Sequence, residues 1–336
     1  MSGAGERRER PPVKDWMSVV VFDGKGDARR LTEAEELVPH ATPAKGFVLI
    51  TGNARAPEFR QWVADQITEP DAELMFGAAG KSRCIILDDK ALVLLSLPGN
   101  GPASDADDVS EKHLMGLWIE AKRVIITSEL RVLDVLNIER WQKSHHAPLS
   151  PADLVARLGL RSADRIEPFI ERLGDHLDRI EEGVFRDAAA QSRRKLTGVR
   201  HKLIGLRRMI WPQRDVLNTL EIEDLSFLTA RDRTRLREAS ARLERLGNEM
   251  QALSERAVLV HEQIIDTRAE QMNRTMLLLT AVTVILMPLT VISGILGMNV
   301  AGIPFADNPY AFWIVAGGLA LIGVLLFVIM RRVKWL

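Results

Sequence analysis

Seven positions of one C-terminal segment carry the side chains of most chemical interest: Asn273, Met276, Thr280, Thr283, Met287, Thr290 and Gly294. Their spacing alternates between three and four, which places them on one face of an α-helix. Leu277, Leu278, Leu279, Val282, Ile285, Leu286 and Ile292, which lie between them, are apolar. One face therefore offers an amide, hydroxyls and thioethers, and the rest offers hydrocarbon. Neutral oxygens of this kind bond water, or the water shell of a hydrated cation. The face has no Asp, Glu, His or Cys, so it holds no tight site for a dehydrated metal. Weak contact suits conduction, where an ion must leave as readily as it enters. Met276 and Met287 add apolar steps that could gate by dewetting. Threonine also has a plainer use in an apolar helix, because its hydroxyl can bond its own backbone. The corner Gly297-Met298-Asn299 follows at once and presents one more amide.

The elements that must position this face are membrane helices. Leu277–Leu296 and Ala311–Met330 each approach the ~20 apolar residues that a bilayer crossing needs. Gly297 to Tyr310 is a short loop between them. Arg268 and Arg274 precede the first span, and Arg331, Arg332 and Lys334 follow the second. The loop has no Lys or Arg and one acid, Asp307. The positive-inside rule then puts both termini in the cytoplasm and the loop outside. The first fifteen residues are polar and lack an apolar signal-peptide core, which predicts a cytoplasmic N-terminus.

A second three-and-four pattern lies upstream: Leu236, Ala239, Leu243, Leu246, Met250, Leu253, Ala257, Val260 and Ile264. This is a coiled-coil-like seam. No proline or glycine pair interrupts Thr234 to Met287, so one helix is expected to run into the membrane. The seam implies either self-association or packing on a preceding helical hairpin. Ser150-Pro151 is a fitting cap and first turn for that hairpin. Its first arm carries Ile166, Phe169, Ile170, Leu173, Leu177, Ile180 and Val184, and its second Leu196, Val199, Leu203, Leu206 and Ile210. A kink or break is expected at Trp211-Pro212.

The first ~145 residues read as an α/β domain. Strands are expected at 18–22, 46–51, 82–88, 91–97, 114–119 and 123–127, and helices at 57–67 and 129–141. Pro98 to Asp108 is an acidic Gly/Pro loop. The expected organisation is an α/β cytoplasmic domain over 1–148, a hairpin over 149–222 and a stalk helix over 223–275. A pore-lining span (276–296), an outer loop (297–310), a second span (311–330) and a basic tail (331–336) follow.

Composition excludes several function classes. The 45 basic and 45 acidic residues balance, so no global field favours nucleic acid. The single cysteine, Cys84, rules out an internal disulfide and sits in an apolar run. His145-His146 is the one histidine cluster and reads as a surface turn. There is no glycine-rich phosphate cradle and no Ser/His/Asp pattern, so neither an enzyme nor a cofactor is expected.

Three runs resemble the CorA superfamily of divalent-cation transporters: Gln271-Met272-Asn273-Arg274-Thr275-Met276, Met287-Pro288-Leu289-Thr290, and Gly294-Ile295-Leu296-Gly297-Met298-Asn299. Asp23-Gly24-Lys25-Gly26, Pro212-Gln213-Arg214, Arg233 to Arg237 and Asn299 to Pro304 look like its ZntB zinc-transporter branch. The resemblance spans essentially the whole chain. It implies a funnel-shaped homopentamer in a bacterial inner membrane, with the first span lining the pore and the second outside it. Asn299 of each subunit would ring the entrance and touch the ion through its hydration waters, held by the turn at Gly297 and Met298. Asn273, Met276, Thr280, Thr283, Met287, Thr290 and Gly294 would line the conduit, which is the face already given by spacing. The near-neutral outer loop favours zinc, and magnesium, cobalt or nickel is the alternative. Neither span holds a titratable side chain, so proton coupling would have to use cytoplasmic groups, Asp307 or water. A membrane-tethered structural coiled coil would explain the seam but not the polar face.

Overall fold

The computed structural model of the 336-residue chain describes residues 16–31, 45–76, 81–98, 112–129, 141, 145–185, 189–298 and 309–332. It divides into two compact units, Met1–Glu181 with Arg194–Val258, and Glu182–Arg193 with Leu259–Leu336.

In the first unit, short β-branched and leucine-rich runs form β1 (Met17–Phe22), β2 (Ala28–Arg30), β3 (Phe47–Asn53), β4 (Arg83–Leu87), β5 (Lys90–Pro98), β6 (Lys112–Ile119) and β7 (Arg123–Ser128). Two helices, α1 (Pro57–Gln66) and α2 (Glu69–Phe76), fall between β3 and β4. The strands make one mixed sheet, in the order β2-β1-β3-β7-β6-β5-β4. Only β3 and β7 pair in parallel; the other neighbours are antiparallel. Each expected strand is present within about two residues. The short polar β2 and the helix α2 had no clear pattern in the sequence. The helix expected at 129–141 and the loop after Pro98 lie almost wholly outside the described residues.

Phe59, Val63 and Met75 of α1 and α2 pack on Val19, Val48, Ile50 and Ile125 of the sheet. Gly52 makes room for Phe59, since a Cβ there would lie 2.3 Å from the ring. Phe22, Phe47 and Leu49, on the other face, are buried as well. A sheet covered on both faces needs continuous apolar runs rather than alternation, which is what these strands show.

Three helices follow: α3 (Pro151–Phe185), α4 (Ala189–Ile222) and α5 (Ala230–Leu296). Ser150 caps α3, its Oγ accepting from Asp153 N at 3.0 Å, while Asp153 Oδ2 accepts from Leu149 N at 3.0 Å. Thr229 and Asp232 start α5 in the same reciprocal way, at 3.2 and 3.0 Å. Such caps satisfy the otherwise unpaired N–H groups of a first turn.

The seam on α5 is buried within a single chain: Leu236, Ala239, Leu243, Leu246, Met250 and Ala257 are all inaccessible. Its partners are the two arms of the preceding hairpin. A Cβ on Gly159 of α3 would lie 2.8 Å from Leu217 of α4 and 3.6 Å from Ala239 of α5. Gly174 faces Leu253 in the same manner. Between the two alternatives left open by the sequence, packing on the hairpin accounts for this stretch. Ion pairs support the α3–α5 contact. Arg242 reaches Asp164 and Glu167 at 2.7 and 2.8 Å, and Arg256 reaches Asp178 at 2.6 Å and Glu181.

Of the kink or break expected at Trp211-Pro212, the break does not occur, and α4 continues through it as one helix. Proline removes one backbone donor, but tertiary packing holds both sides of it. Trp211 lies against Gly247 of α5, 3.1 Å from the position of a Cβ. Gln213 Nε2 donates to the Ser96 carbonyl in β5. In the second unit, Val184, Val260 and Ile264 are buried, and the last described helix is α6 (Ala311–Arg332).

Candidate functional site

Helices α5 and α6 each contain a stretch long and apolar enough to cross a bilayer. Each also has one covered face at helical spacing. On α5 it comprises the partly or fully covered Leu277, Ala281, Ile285, Pro288, Leu289, Ile292 and Leu296; on α6 it comprises Val315, Ala316, Leu319, Ile322, Gly323, Leu326 and Met330. The two faces meet where Leu289 Cδ1 lies 3.6 Å from the position of a Cβ on Gly323. Glycine permits the close approach that membrane helices rely on when water cannot drive them together. Most of the remaining surface is large and apolar, including Leu279, Leu286, Ile314, Leu321 and Leu325, and it is exposed.

Asn273, Met276, Thr280, Thr283, Met287, Thr290 and Gly294 are exposed as well. On a helix of 3.6 residues per turn their mean direction is about 150° from the covered face of α5. The polar face therefore turns away from α6, and no described residue covers it. Met276 and Met287 are 64% and 66% exposed, and nothing lies within 4 Å of a Cβ on Gly294.

Two of the three threonine hydroxyls on this face are oriented by the helix itself. Thr283 Oγ1 donates to the Leu279 carbonyl at 2.9 Å, and Thr290 Oγ1 donates to the Leu286 carbonyl at 2.8 Å. With the proton used on the backbone, each oxygen keeps its lone pairs for the exposed side. These positions are acceptors rather than donors, which suits the outward-pointing hydrogens of water bound to a cation. The backbone bonding that is the plain use of threonine in a membrane helix thus serves the chemical use.

The corner begins where α5 ends. Gly297 N donates to the Ser293 carbonyl at 2.9 Å and Met298 N to the Ile295 carbonyl at 3.3 Å, closing the last turn. A Cβ on Gly297 would meet the Ser293 carbonyl oxygen at 3.2 Å, so the turn is tight around this glycine. Met298 is exposed. Asn299 and the loop through Asn308, including Asp307, lie outside the described residues.

At the two ends of the spans the chemistry changes. Tyr310, Phe312 and Trp313 open α6 and are about 70% exposed, a composition typical of a bilayer interface. Arg331 and Arg332 close it. Arg274 pairs with Glu270 at 2.7 Å just before the apolar part of α5. Among the described residues no group of three or more His, Cys, Asp or Glu side chains converges to hold a metal. His145 sits in an exposed turn with φ of 53° against Asp27.

A family model described as a CorA-like Mg2+ transporter protein matches residues 60–332. The chain belongs to the CorA family. The divalent cation transporter CmaX of Pseudomonas aeruginosa is 28% identical over 320 residues, covering 94% of this chain and 95% of its own. The structure of full-length CmaX superposes with a TM-score of 0.78 at 26% identity, over 97% of this chain and 100% of that one. The zinc transport protein ZntB of Enterobacter sp. is 26% identical over 325 residues, 96% of this chain and 94% of its own. The CorA magnesium transporter of Methanocaldococcus jannaschii shares the fold, with a TM-score of 0.80 over 97% of this chain and 100% of that one, at 19% identity. The superfamily and branch resemblance drawn from the motifs therefore holds.

The contact between Leu289 and Gly323 had not been singled out in the sequence. The second span holds several small residues, Ala316, Gly317, Gly318, Ala320 and Gly323, and nothing in the sequence marks Gly323 among them. The direction of the threonine hydroxyls left no trace, because side-chain torsions are not written in a pattern of residue types.

Proposed function

We propose that this chain moves divalent metal cations across a bacterial inner membrane, zinc before magnesium, through the axis of a homopentamer. The observation that carries the proposal is the polar face of α5. It is uncovered in the single chain, lies nearly opposite the α6 contact, and presents oxygen lone pairs. In an apolar bilayer such a face needs a protein partner or water. Copies arranged with these faces inward would supply both, and would leave α6 outermost. Asn273, Met276, Thr280, Thr283, Met287, Thr290 and Gly294 then line the conduit. Asn299, carried on the Gly297-Met298 turn, rings its outer entrance.

Neutral amide and hydroxyl oxygens hold an ion through its water shell and avoid the large cost of stripping a small divalent cation. Both termini lie in the cytoplasm in this reading, supported by Arg331 and Arg332 at one end of α6 and the aromatic residues at the other. The outer loop with its single acid, Asp307, and the similarity to ZntB support zinc, while the similarity to CmaX supports a divalent cation without choosing one. The family description names magnesium, which remains the alternative cargo.

The deciding measurement is flux in proteoliposomes with competing zinc, magnesium, cobalt and nickel, run with and without a proton gradient. Movement of neither zinc nor magnesium under any gradient would overturn the proposal. Asn299→Ala should abolish flux or its ion preference while leaving assembly intact. An unchanged preference would remove Asn299 from the filter.

A further inference from the structure

Three buried polar atoms lack a hydrogen-bond partner where the helical hairpin meets the end of β5: Ser162 Oγ and Arg165 Nη1 of α3, and Gln213 Oε1 of α4. Ser162 and Gln213 are each 1% exposed. A serine inside a helix often returns its hydroxyl to the carbonyl four residues back. Ser162 makes no such bond, so its proton is free to serve another group. The Gln213 amide is oriented from its far end. Its Nε2 donates to the Ser96 carbonyl of β5, which leaves Oε1 as an acceptor with nothing to accept.

Register brings these atoms together. Gly159 of α3 packs on Leu217 of α4. About one turn onward along α3 is Ser162, and one turn back along the antiparallel α4 is Gln213, so they stand level on facing sides. Arg165 comes three residues after Ser162. A helical side chain lies over the turn N-terminal to its own Cα, which carries this guanidinium back toward Ser162. Arg161 lies one turn before Arg165 on the same side of the helix.

Charge here is unbalanced. Arg161 and Arg165 are half-buried, and neither has an ion-pair partner among the described residues. The carboxylates closest in sequence are committed elsewhere. Asp164 pairs with Arg242 of α5, and Glu167 with Arg242 and Arg245. Burial, and then the charge of Arg161, pull Arg165 below the ordinary arginine range. Arg157 and Arg235 are matched instead, since both reach Asp153. Two partly desolvated cations side by side are unfavourable, and an anion between them relieves both the burial and the repulsion.

We infer that Arg161, Ser162, Arg165 and Gln213 form a binding site for monohydrogen phosphate. The guanidinium groups and the Ser162 hydroxyl donate to phosphate oxygens, a pairing that the planar fork of arginine favours. Gln213 Oε1 can only accept, so it selects an oxyanion that keeps a proton. Monohydrogen phosphate offers a P–O–H donor. Sulfate has none and would set an oxygen against Oε1, and an unpaired polar contact of this kind is how a site rejects a near-isostere. The site lies in the first unit and uses none of the residues of the polar face of α5. Its occupancy braces the hairpin against β5 at Gln213.

The test uses the full chain in detergent, free of added metal and phosphate, at mildly alkaline pH. Inorganic phosphate is titrated by calorimetry and by thermal unfolding, with sulfate and chloride at equal ionic strength beside it. A ligand that binds the folded chain raises its midpoint. The expected result is saturable phosphate binding, about tenfold or more tighter than that of sulfate. Arg165→Gln should weaken it by about tenfold or more, and Ser162→Ala several-fold. Without phosphate, Arg165→Gln should melt no lower than the parent, because it removes a half-buried charge that has no counter-charge. Absence of a saturable phosphate response, equal binding of phosphate and sulfate, or a lower midpoint for phosphate-free Arg165→Gln each overturns the inference. So does a response that appears only with Asp105→Asn, Asp107→Asn and Asp108→Asn, since the chain's own acidic run would then be the partner of these arginines.

Discussion

Gly323 of α6 faces Leu289 of α5, with Leu289 Cδ1 3.6 Å from where a Cβ would sit. That is ordinary van der Waals contact, so one added methyl fits and a larger group does not. Gly323→Ala should behave as the parent. Gly323→Phe should push the spans apart and cost about 1–3 kcal/mol of overpacking. Thermal unfolding of the detergent-solubilised chain separates the two outcomes. An unaffected Phe variant would mean that the spans do not pack here.

Thr283 and Thr290 give their protons to the backbone of α5 and keep their lone pairs on the exposed side. Valine at both positions keeps the shape and removes the oxygens. Flux should fall about tenfold for the pair, since each lost hydrogen bond is worth ~0.5–1.5 kcal/mol. Serine at both should retain most of it. Equal flux in the valine and serine variants would take these oxygens out of the pathway.

Asp153 is buried at the start of α3. It accepts from Leu149 N and pairs with Arg157 at 3.2 Å and with Arg235 of α5. Asp153→Ala leaves two arginines without their carboxylate and uncaps the helix. A loss of about 3–5 kcal/mol is expected, the usual cost of breaking a buried pair from one side. Denaturant unfolding followed through the helical signal measures it, and Asp153→Asn should recover part of the cap.

Glu167 responds to pH. The hydrogen bond from Arg242 holds its carboxyl below the usual range, with slight burial opposing and the Arg242 and Arg245 charges helping. The same pairing raises Arg242. A carboxyl depressed in the folded state stabilises fully above its unfolded value and loses that contribution as pH falls through the folded one. Glu167→Gln should therefore lower the thermal midpoint at neutral pH. Below about pH 4 the difference from the parent should shrink. The effect is small because the pair is partly exposed to solvent. A difference that grows in acid would reverse the assignment.

The legible parts of this protein are those in which one residue type at one spacing has one physical use. The seam from Leu236 to Ile264 required burial, and all of it except the half-covered Leu253 is buried. Ser150-Pro151 announced a helix start, and the hydroxyl and carboxylate geometry of a cap is present there. Apolar runs of strand length became strands because the sheet is covered on both faces. At Pro212 a kink or a break was expected, and the helix is not broken there. Its local preference is real, but Trp211 against Gly247 and Gln213 against the Ser96 carbonyl hold the helix through it. β2 was missed because three edge residues, Ala28, Arg29 and Arg30, carry no pattern.

The sequence by itself determined that the polar positions of α5 share one face, because helical periodicity depends on nothing beyond the chain. It also determined the family, through motifs placed in a particular order along nearly the whole length. Tertiary structure alone decided which way that face points, since the direction depends on where α6 packs, and the contact of Leu289 with Gly323 lies on the opposite side. It alone showed that the seam is satisfied within one chain, because an apolar stripe demands burial without naming its partner. The threonine protons belong to the same class. For Thr283 and Thr290 that direction follows from side-chain torsions against the preceding turn, and it leaves these two oxygens as acceptors on the exposed side.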